Sequence, residues 1–272
     1  MAIITVSRGT LSGGRRLADC LGRNLGYKVL SREELVAEAA SIYGVKEENL
    51  LRGLDSGPRF WDRFRIDRQI YLEVARATLC HLVRDGNTVY HGHAGHLLLQ
   101  GVGHVVRVRI VAPMSQRIRM AVEEHGFSEG EADAYIQKRD EERRSWTRFL
   151  YGIEWGDPVL YDLTVNLEKM TIEGVCHVLA GIVERPEFRS SEAFQRELDD
   201  LFLSSHVHAK LYLNPRIAAA AGKITVKASS GTVRLSGLLA GDSLVREVLD
   251  TCAALPEVSQ VDADWLASGQ TR

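Results

Sequence analysis

Ile3-Ile4-Thr5-Val6-Ser7-Arg8-Gly9-Thr10-Leu11-Ser12-Gly13-Gly14-Arg15-Arg16 is the stretch that decides the fold. Residues 3–6 are a short β-branched run, and residues 16–25 carry apolar side chains at helical spacing, so the segment reads as strand, glycine loop, helix. Residues 9–15 fit a pattern of glycine, four residues, glycine and then a basic residue. Glycines let successive backbone N–H groups turn inward around a phosphate, and the following helix adds its positive N-terminal end. Gly9, Ser12, Gly13, Gly14, Arg15 and Arg16 are therefore candidate phosphate ligands. Arg15 stands where such loops carry lysine, and Arg16 where they carry the Ser or Thr whose hydroxyl binds magnesium. The bland alternative is a glycine-rich turn that only permits tight packing.

Outward from this loop, residues 27–30, 88–90, 104–111 and 161–166 read as further strands. Ser31 with Glu34 forms a capping box for a helix over 32–43, and further helices are predicted over 60–83, 115–125, 128–149 and 171–183. Strands alternating with helices predict an α/β fold with a parallel sheet between two helical layers. The polar, proline-containing stretch 184–191 interrupts the pattern, which puts a linker at 186–195 between a domain of residues 1–185 and a smaller one of residues 196–265. The smaller unit reads αββαβ: a helix over 192–213, period-two strands over 223–228 and 232–238, a helix over 242–254 and a strand over 258–262.

With 272 residues, 45% of them hydrophobic, the chain can bury a real core. A net charge of −2 argues against a general nucleic-acid binder. The first residues lack the basic flank and cleavage site of a leader, and no run is long enough to span a bilayer, so a cytoplasmic protein without integral membrane association is expected. Cys20, Cys80, Cys176 and Cys252 are scattered and read as buried thiols. His91, His93, His96 and His104 cluster along the chain, but no carboxylate or cysteine completes a ligand set at metal-binding spacing, so no metal site is assigned to them.

The segment ITVSRGTLSGGRRLADCLGRNLGYKVLSREEL resembles the opening of the cytidylate kinase-like family, where a strand ending in Ser-Arg leads through Ser-Gly-Gly-Arg into the first helix. RDEERRSWTRFLYGIEWGDPVLYDLTVN, at 139–166, resembles that family's lid and the Trp-Gly-Asp-Pro stretch after it. VYHGHAGHLLL resembles its third characteristic region and GLDSGPRFWDRF its acceptor-side insert. The resemblance implies a phosphate-loop kinase fold and transfer of a phosphoryl group from ATP, with Mg²⁺, to a nucleoside monophosphate such as CMP or dCMP. It implies that Gly13, Gly14 and Arg15 hold the donor phosphates and that Arg139 and Arg143 close on the transferring group. Arg32 and His93 then serve the acceptor side, and Asp140 orients the lid arginines or contacts the acceptor nucleotide. Independently, the i, i+4 spacing puts Arg139 and Arg143 on one helix face, where guanidinium groups suit phosphate; a solvated, ion-paired face is the alternative.

Three positions depart from the family. His93 stands where an arginine normally meets the acceptor phosphate, Ser31 replaces an aspartate beside Arg32, and Leu11 replaces a loop glycine. These departures leave a second expectation open, a nucleotide-binding sensor with weak or no catalysis. Residues 196–265 resemble a BON domain, most clearly in Gly-Thr-Val-Arg-Leu-Ser-Gly and Pro-Glu-Val, which implies a regulatory or interaction role toward a protein partner or a second copy of the chain.

Overall fold

The computed structural model describes residues 2–55 and 68–269. Strands β1 (Ile3–Arg8), β2 (Lys28–Ser31), β3 (Thr88–His91), β4 (Val105–Val111) and β5 (Leu163–Asn166) form a parallel sheet in the order β2-β3-β1-β4-β5. The β-branched run at the start of the chain becomes the central strand, covered on both faces and buried along nearly its whole length. Its side chains alternate between two cores. Ile4 joins Leu17 and Leu21 of α1 (Gly14–Leu25), while Ile3 joins Leu35 of α2 (Arg32–Tyr43) on the opposite face.

Between α2 and β3 lie α3 (Glu47–Asp55) and α4 (Arg68–Leu82), and β3 is followed by the short α5 (Gly95–Leu98). Beyond β4 come α6 (Met114–His125) and the long α7 (Glu129–Tyr151), which the Ser128–Glu131 capping box opens. Helix α8 (Ile172–Val183) packs Val175, Cys176 and Leu179 beside α1. The helices α3 and α5 arise where the sequence pattern gave none, and the acceptor-side insert lies mostly outside the described residues. The strand expected over 161–166 starts two residues late: Pro158–Leu160 forms a 3₁₀ turn and Asp162 is drawn onto Arg107 instead. Asp157 caps that turn by accepting from the Val159 N–H, so it is a turn residue.

The C-terminal unit contains α9 (Glu192–Leu213), α10 (Ala218–Ala221), β6 (Ile224–Ser229), β7 (Thr232–Ala240), α11 (Asp242–Ala253) and β8 (Gln260–Gly269). Strands β6 and β7 pair antiparallel, and β7 and β8 pair parallel. The last strand runs well past the expected 258–262 segment. Helix α9, capped by Ser191, starts inside the stretch expected to be a linker.

Two faces of α9 are apolar. Leu198 and Ala209 belong to the same core as Leu35 and Leu79, whereas Leu203, Val207 and Leu211 pack under the small sheet with Val233 and Leu235. Polar contacts follow the first face: Tyr43 Oη and His206 Nδ1 lie 2.8 Å apart, Glu197 accepts from the Gly103 N–H at 2.9 Å, and Arg84 meets Asp199 at 3.0 Å. Helix α9 is a shared wall between the two cores.

Candidate active site

The glycine loop sits between β1 and α1 at the C-terminal end of the sheet. Gly13 (φ 81°) and Leu11 (φ 57°) both adopt left-handed backbone, which turns the loop back toward the start of α1. For leucine that conformation costs on the order of 1 kcal/mol or more. Its side chain offsets this by packing against Ala121, Ala132 and Ile136 of α6 and α7. This explains why an apolar residue is tolerated where a glycine was expected. The first turn of α1 contains no acidic residue, so its N-terminal end stays positive, and the Ser12 hydroxyl is buried beside it without a hydrogen-bond partner.

Arg15 and Arg16 project outward. The Arg15 side chain is 83% exposed and only approaches Asp19, at 4.0 Å. Over the loop lies Arg8 instead. A methyl group on Gly14 would sit 1.8 Å from Arg8 Cδ, so a side chain there would push the arginine off its path across the helix start. Arg8 Nη1 then donates to the His91 carbonyl at the end of β3, at 2.7 Å.

A cavity of about 150 Å³ opens beside this crossing, lined by Arg8, Arg32, His93, Arg139, Arg143 and Trp155 among others. It therefore unites Arg32, His93, Arg139 and Arg143 of the residues expected from sequence, and leaves out Arg15, Arg16, Gly13 and Gly14. Arg143 Nη1 donates to the Thr10 hydroxyl at 3.0 Å and to the Arg8 carbonyl at 3.2 Å. Arg139 pairs with Glu142 at 3.1 Å and lies over the Tyr135 ring. Glu33 and Glu142 also line the cavity, so four guanidinium groups face two carboxylates there.

Asp140, expected to orient the lid arginines or to contact the acceptor, approaches lid Arg143 at 3.8 Å and holds the loop as well. One carboxylate oxygen accepts from both the backbone N–H and the hydroxyl of Thr10, each at 2.9 Å, and the other accepts from Arg117 at 2.5 Å. Arg117 also donates to the Thr10 carbonyl, at 2.8 Å. Asp140 and Arg117 are thus a buried clasp that binds α7 and α6 to the loop. Sequence reasoning missed Arg117 because nothing in its surroundings on α6 distinguishes it from a surface arginine.

On the other side of the loop, a cleft of about 270 Å³ is lined by Ser12, Gly13, Arg16, Gln116, Leu167 and Thr171. Gly13 and Arg16 from the expected donor set are found here. The site thus has two compartments, one strongly cationic and one mixed, that meet at the glycine loop.

The Trp155 to Asp162 segment ties β5 to β1 and β4. Trp155 Nε1 donates to Ser7 Oγ at 3.0 Å, its carbonyl accepts from Arg109 at 2.6 Å and from Tyr161 Oη at 2.9 Å, and the Arg109 guanidinium stacks 4.5 Å from the Trp155 ring centre. Asp162 is bound to the backbone N–H and guanidinium of Arg107, away from the cavity.

His93 packs edge-on against Trp146, 4.6 Å between ring centres, and its pKa is driven well below the usual histidine range by burial, then by Arg143, His96, Arg32 and Arg8. In the empty site it therefore stands as a neutral imidazole. His96 is buried against Tyr161, and its pKa is pushed down to about 3 by burial, then by Arg107 and Arg109. A histidine whose folded pKa lies below its unfolded value stabilises the fold fully above about pH 6.5 and loses that contribution as the pH falls. Between pH 7 and pH 5 the loss is about 2 kcal/mol for such a group. Thermal melts at the two pH values check this: the stability of His96→Gln is expected to fall less on acidification, by about that amount.

Fold and site together define an α/β protein of the phosphate-loop kinase type. The model of the cytidylate kinase-like family matches residues 3–169, and the chain belongs to that family. It is 28% identical to the cytidylate kinase of Sulfolobus acidocaldarius over 190 residues, which cover 69% of this chain and 97% of that protein. It is also 28% identical to the cytidylate kinase of Ignicoccus hospitalis over 181 residues, 66% of this chain and 97% of that one. A crystal structure of an uncharacterized protein from Eubacterium ventriosum shares the fold, with a TM-score of 0.54 and 17% identity over 67% of this chain and 98% of that one. About two thirds of this chain therefore spans these relatives almost end to end. Among the described residues no helix is long and apolar enough to cross a membrane.

Proposed function

We propose that the protein transfers the γ-phosphoryl group of ATP to a nucleoside monophosphate, CMP or dCMP, in the cytoplasm. The observation that carries this reading is the convergence of Arg8, Arg32, Arg139 and Arg143 on one cavity next to the glycine loop, with a second cleft across the loop. The mixed cleft by Ser12, Gly13 and Arg16 takes the donor nucleoside, with Gly9, Gly14 and Arg15 flanking its phosphates. The cationic cavity takes the acceptor phosphate. An acceptor oxygen forms the new bond to the γ-phosphorus as the bond to the β–γ bridging oxygen breaks, and ADP leaves. The protein's part is to align the two phosphates and to neutralise charge spread over the equatorial oxygens. Arg139 and Arg143, on the helix clasped to the loop, are placed for the second task. Arg32 holds the acceptor from the start of α2, and neutral His93 adds a hydrogen bond and no charge.

Magnesium enters as part of the nucleotide. Arg16 occupies the usual hydroxyl position, Thr10 is taken by Asp140 and Arg143, and no three His, Cys, Asp or Glu side chains gather among the described residues. Among the described residues of the loop, the unpartnered hydroxyl of Ser12 would reach a phosphate-bound ion.

The second reading, a nucleotide sensor without efficient transfer, is favoured by neutral His93 in the arginine position. Residues 196–265, with their αββαβ order, are proposed as a BON-like regulatory or interaction domain, for a protein partner or a second copy of the chain, following a kinase domain of residues 1–185. Incubation with ATP, Mg²⁺ and a panel of nucleoside monophosphates, with nucleotide binding measured in parallel, separates the readings. Diphosphate formation greatest with CMP or dCMP is expected; binding with no turnover on any acceptor overturns the kinase in favour of the sensor.

A further inference from the structure

We infer that Arg8, at the end of the first strand, is the cation that contacts the transferring phosphoryl group between donor and acceptor, a role that the helix position of Arg15 does not fill. The inference rests on the kinase reading above and gives the phosphate site its central residue.

Three observations place it. First, the Arg8 side chain crosses the start of α1 in the space that a Gly14 side chain would fill, which puts its guanidinium over the mouth of the loop, where the last phosphate of a bound triphosphate would emerge. Second, its only hydrogen bond among those seen is to the His91 carbonyl, which anchors one nitrogen on the acceptor side and leaves the rest of the fork toward the cavity it shares with Arg32 and Arg143. Third, no carboxylate lies within ion-pair distance of it among the described residues. Arg32 is paired with Glu33 at 3.0 Å and Arg143 approaches Asp140 at 3.8 Å, whereas Arg8 feels Glu33 only beyond ion-pair distance, so its enclosure is costly in the empty protein. The cost shows in its acidity, which enclosure and then Arg143 carry down to about 10, still protonated at neutral pH. An anion of two or more charges seated among Arg8, Arg32 and Arg143 relieves that repulsion, and a planar, forked donor suits phosphoryl oxygens. Arg15, by contrast, is turned to solvent.

A purely structural Arg8 would tie β1 to β3 through His91, and the test separates the two roles. Full-length wild type, Arg8→Met and Arg8→Lys are compared in two measurements: ATP-dependent phosphorylation of CMP, and the melting-temperature shift given by inorganic tripolyphosphate. Arg8→Met is expected to lower kcat and kcat/KM together by about 100-fold or more, as loss of a transition-state charge contact does. Arg8→Lys recovers part of that loss. Without ligand, Arg8→Met melts at or above the wild-type temperature, because like-charge repulsion is removed. Tripolyphosphate stabilises wild type and Arg8→Lys and no longer stabilises Arg8→Met. If the wild type binds tripolyphosphate in this Arg8-dependent way but turns over no acceptor, the kinase reading fails, and with it the transfer role, while Arg8 stands as a phosphate-binding residue of the site. Equal tripolyphosphate shifts in wild type and Arg8→Met, no shift in the wild type, or Arg8→Met activity within threefold of wild type each overturn the assignment.

Discussion

Replacing Asp140 with alanine is expected to destabilise the protein by about 3–5 kcal/mol, the usual cost of removing one partner of a buried ion pair. The reason lies in what the carboxylate leaves behind. Arg117 is 9% exposed and would keep its charge with only the Thr10 carbonyl to receive it, while the Thr10 N–H and hydroxyl would lose their shared acceptor. In a chain of this size each kcal/mol shifts the midpoint by roughly 2–4 °C, so a fall of about 10 °C is expected in a thermal melt. Asp140→Asn keeps an oxygen for Thr10 and loses only the charge opposite Arg117, and is expected to fall about half as far. A change under 2 °C for the alanine variant, roughly half a kcal/mol, would remove the clasp from the account.

Truncation after Ser190 is expected to have a larger effect. The cytidylate kinases matched here are spanned almost entirely by about two thirds of this chain, so a fragment of their length is the natural candidate for an independent kinase domain. The core says otherwise. Leu198 and Ala209 of α9 are buried in the same cluster as the sheet-facing side of α2 and α4, and Leu201, Phe202 and Leu213 pack against it. Uncovering that face forfeits about 1.5–3 kcal/mol per large apolar side chain, several times over. That sum is comparable with the whole stability of an ordinary domain, about 5–15 kcal/mol. Residues 1–190 are therefore expected to aggregate or to lack a cooperative melt, and the full chain to unfold in one transition. A monomeric fragment melting within a few degrees of the full chain would show that α9 merely rests on the kinase core.

Much of the fold could be read from local pattern. The run Ile3 to Val6 and the capping box at Ser31 each act within a few residues, and the structure has a strand and a helix where those signals put them. What escaped was decided at a distance. Apolar residues on two faces of α9 look like one amphipathic helix beside a polar stretch, and only the packing assigns each face to a different core. The same holds for the site. Arg32, Arg139 and Arg143 were found through the family pattern and meet in one cavity, yet Arg8 and Arg15 are equally basic in sequence. Which of them lies over the loop depends on a strand end crossing a helix start, and the signal that was there to use was an arginine soon after the β-branched run. The family pattern put His93 at the acceptor phosphate, but only its burial against Trp146 shows that it is neutral in the empty site.

Phosphorus NMR of ATP and CMP incubated with Mg²⁺ and the full-length protein tests the central claim most directly. The account predicts that CDP and ADP resonances grow in equal amounts as ATP and CMP decline. ATP and CMP that both bind and both persist unchanged would contradict it.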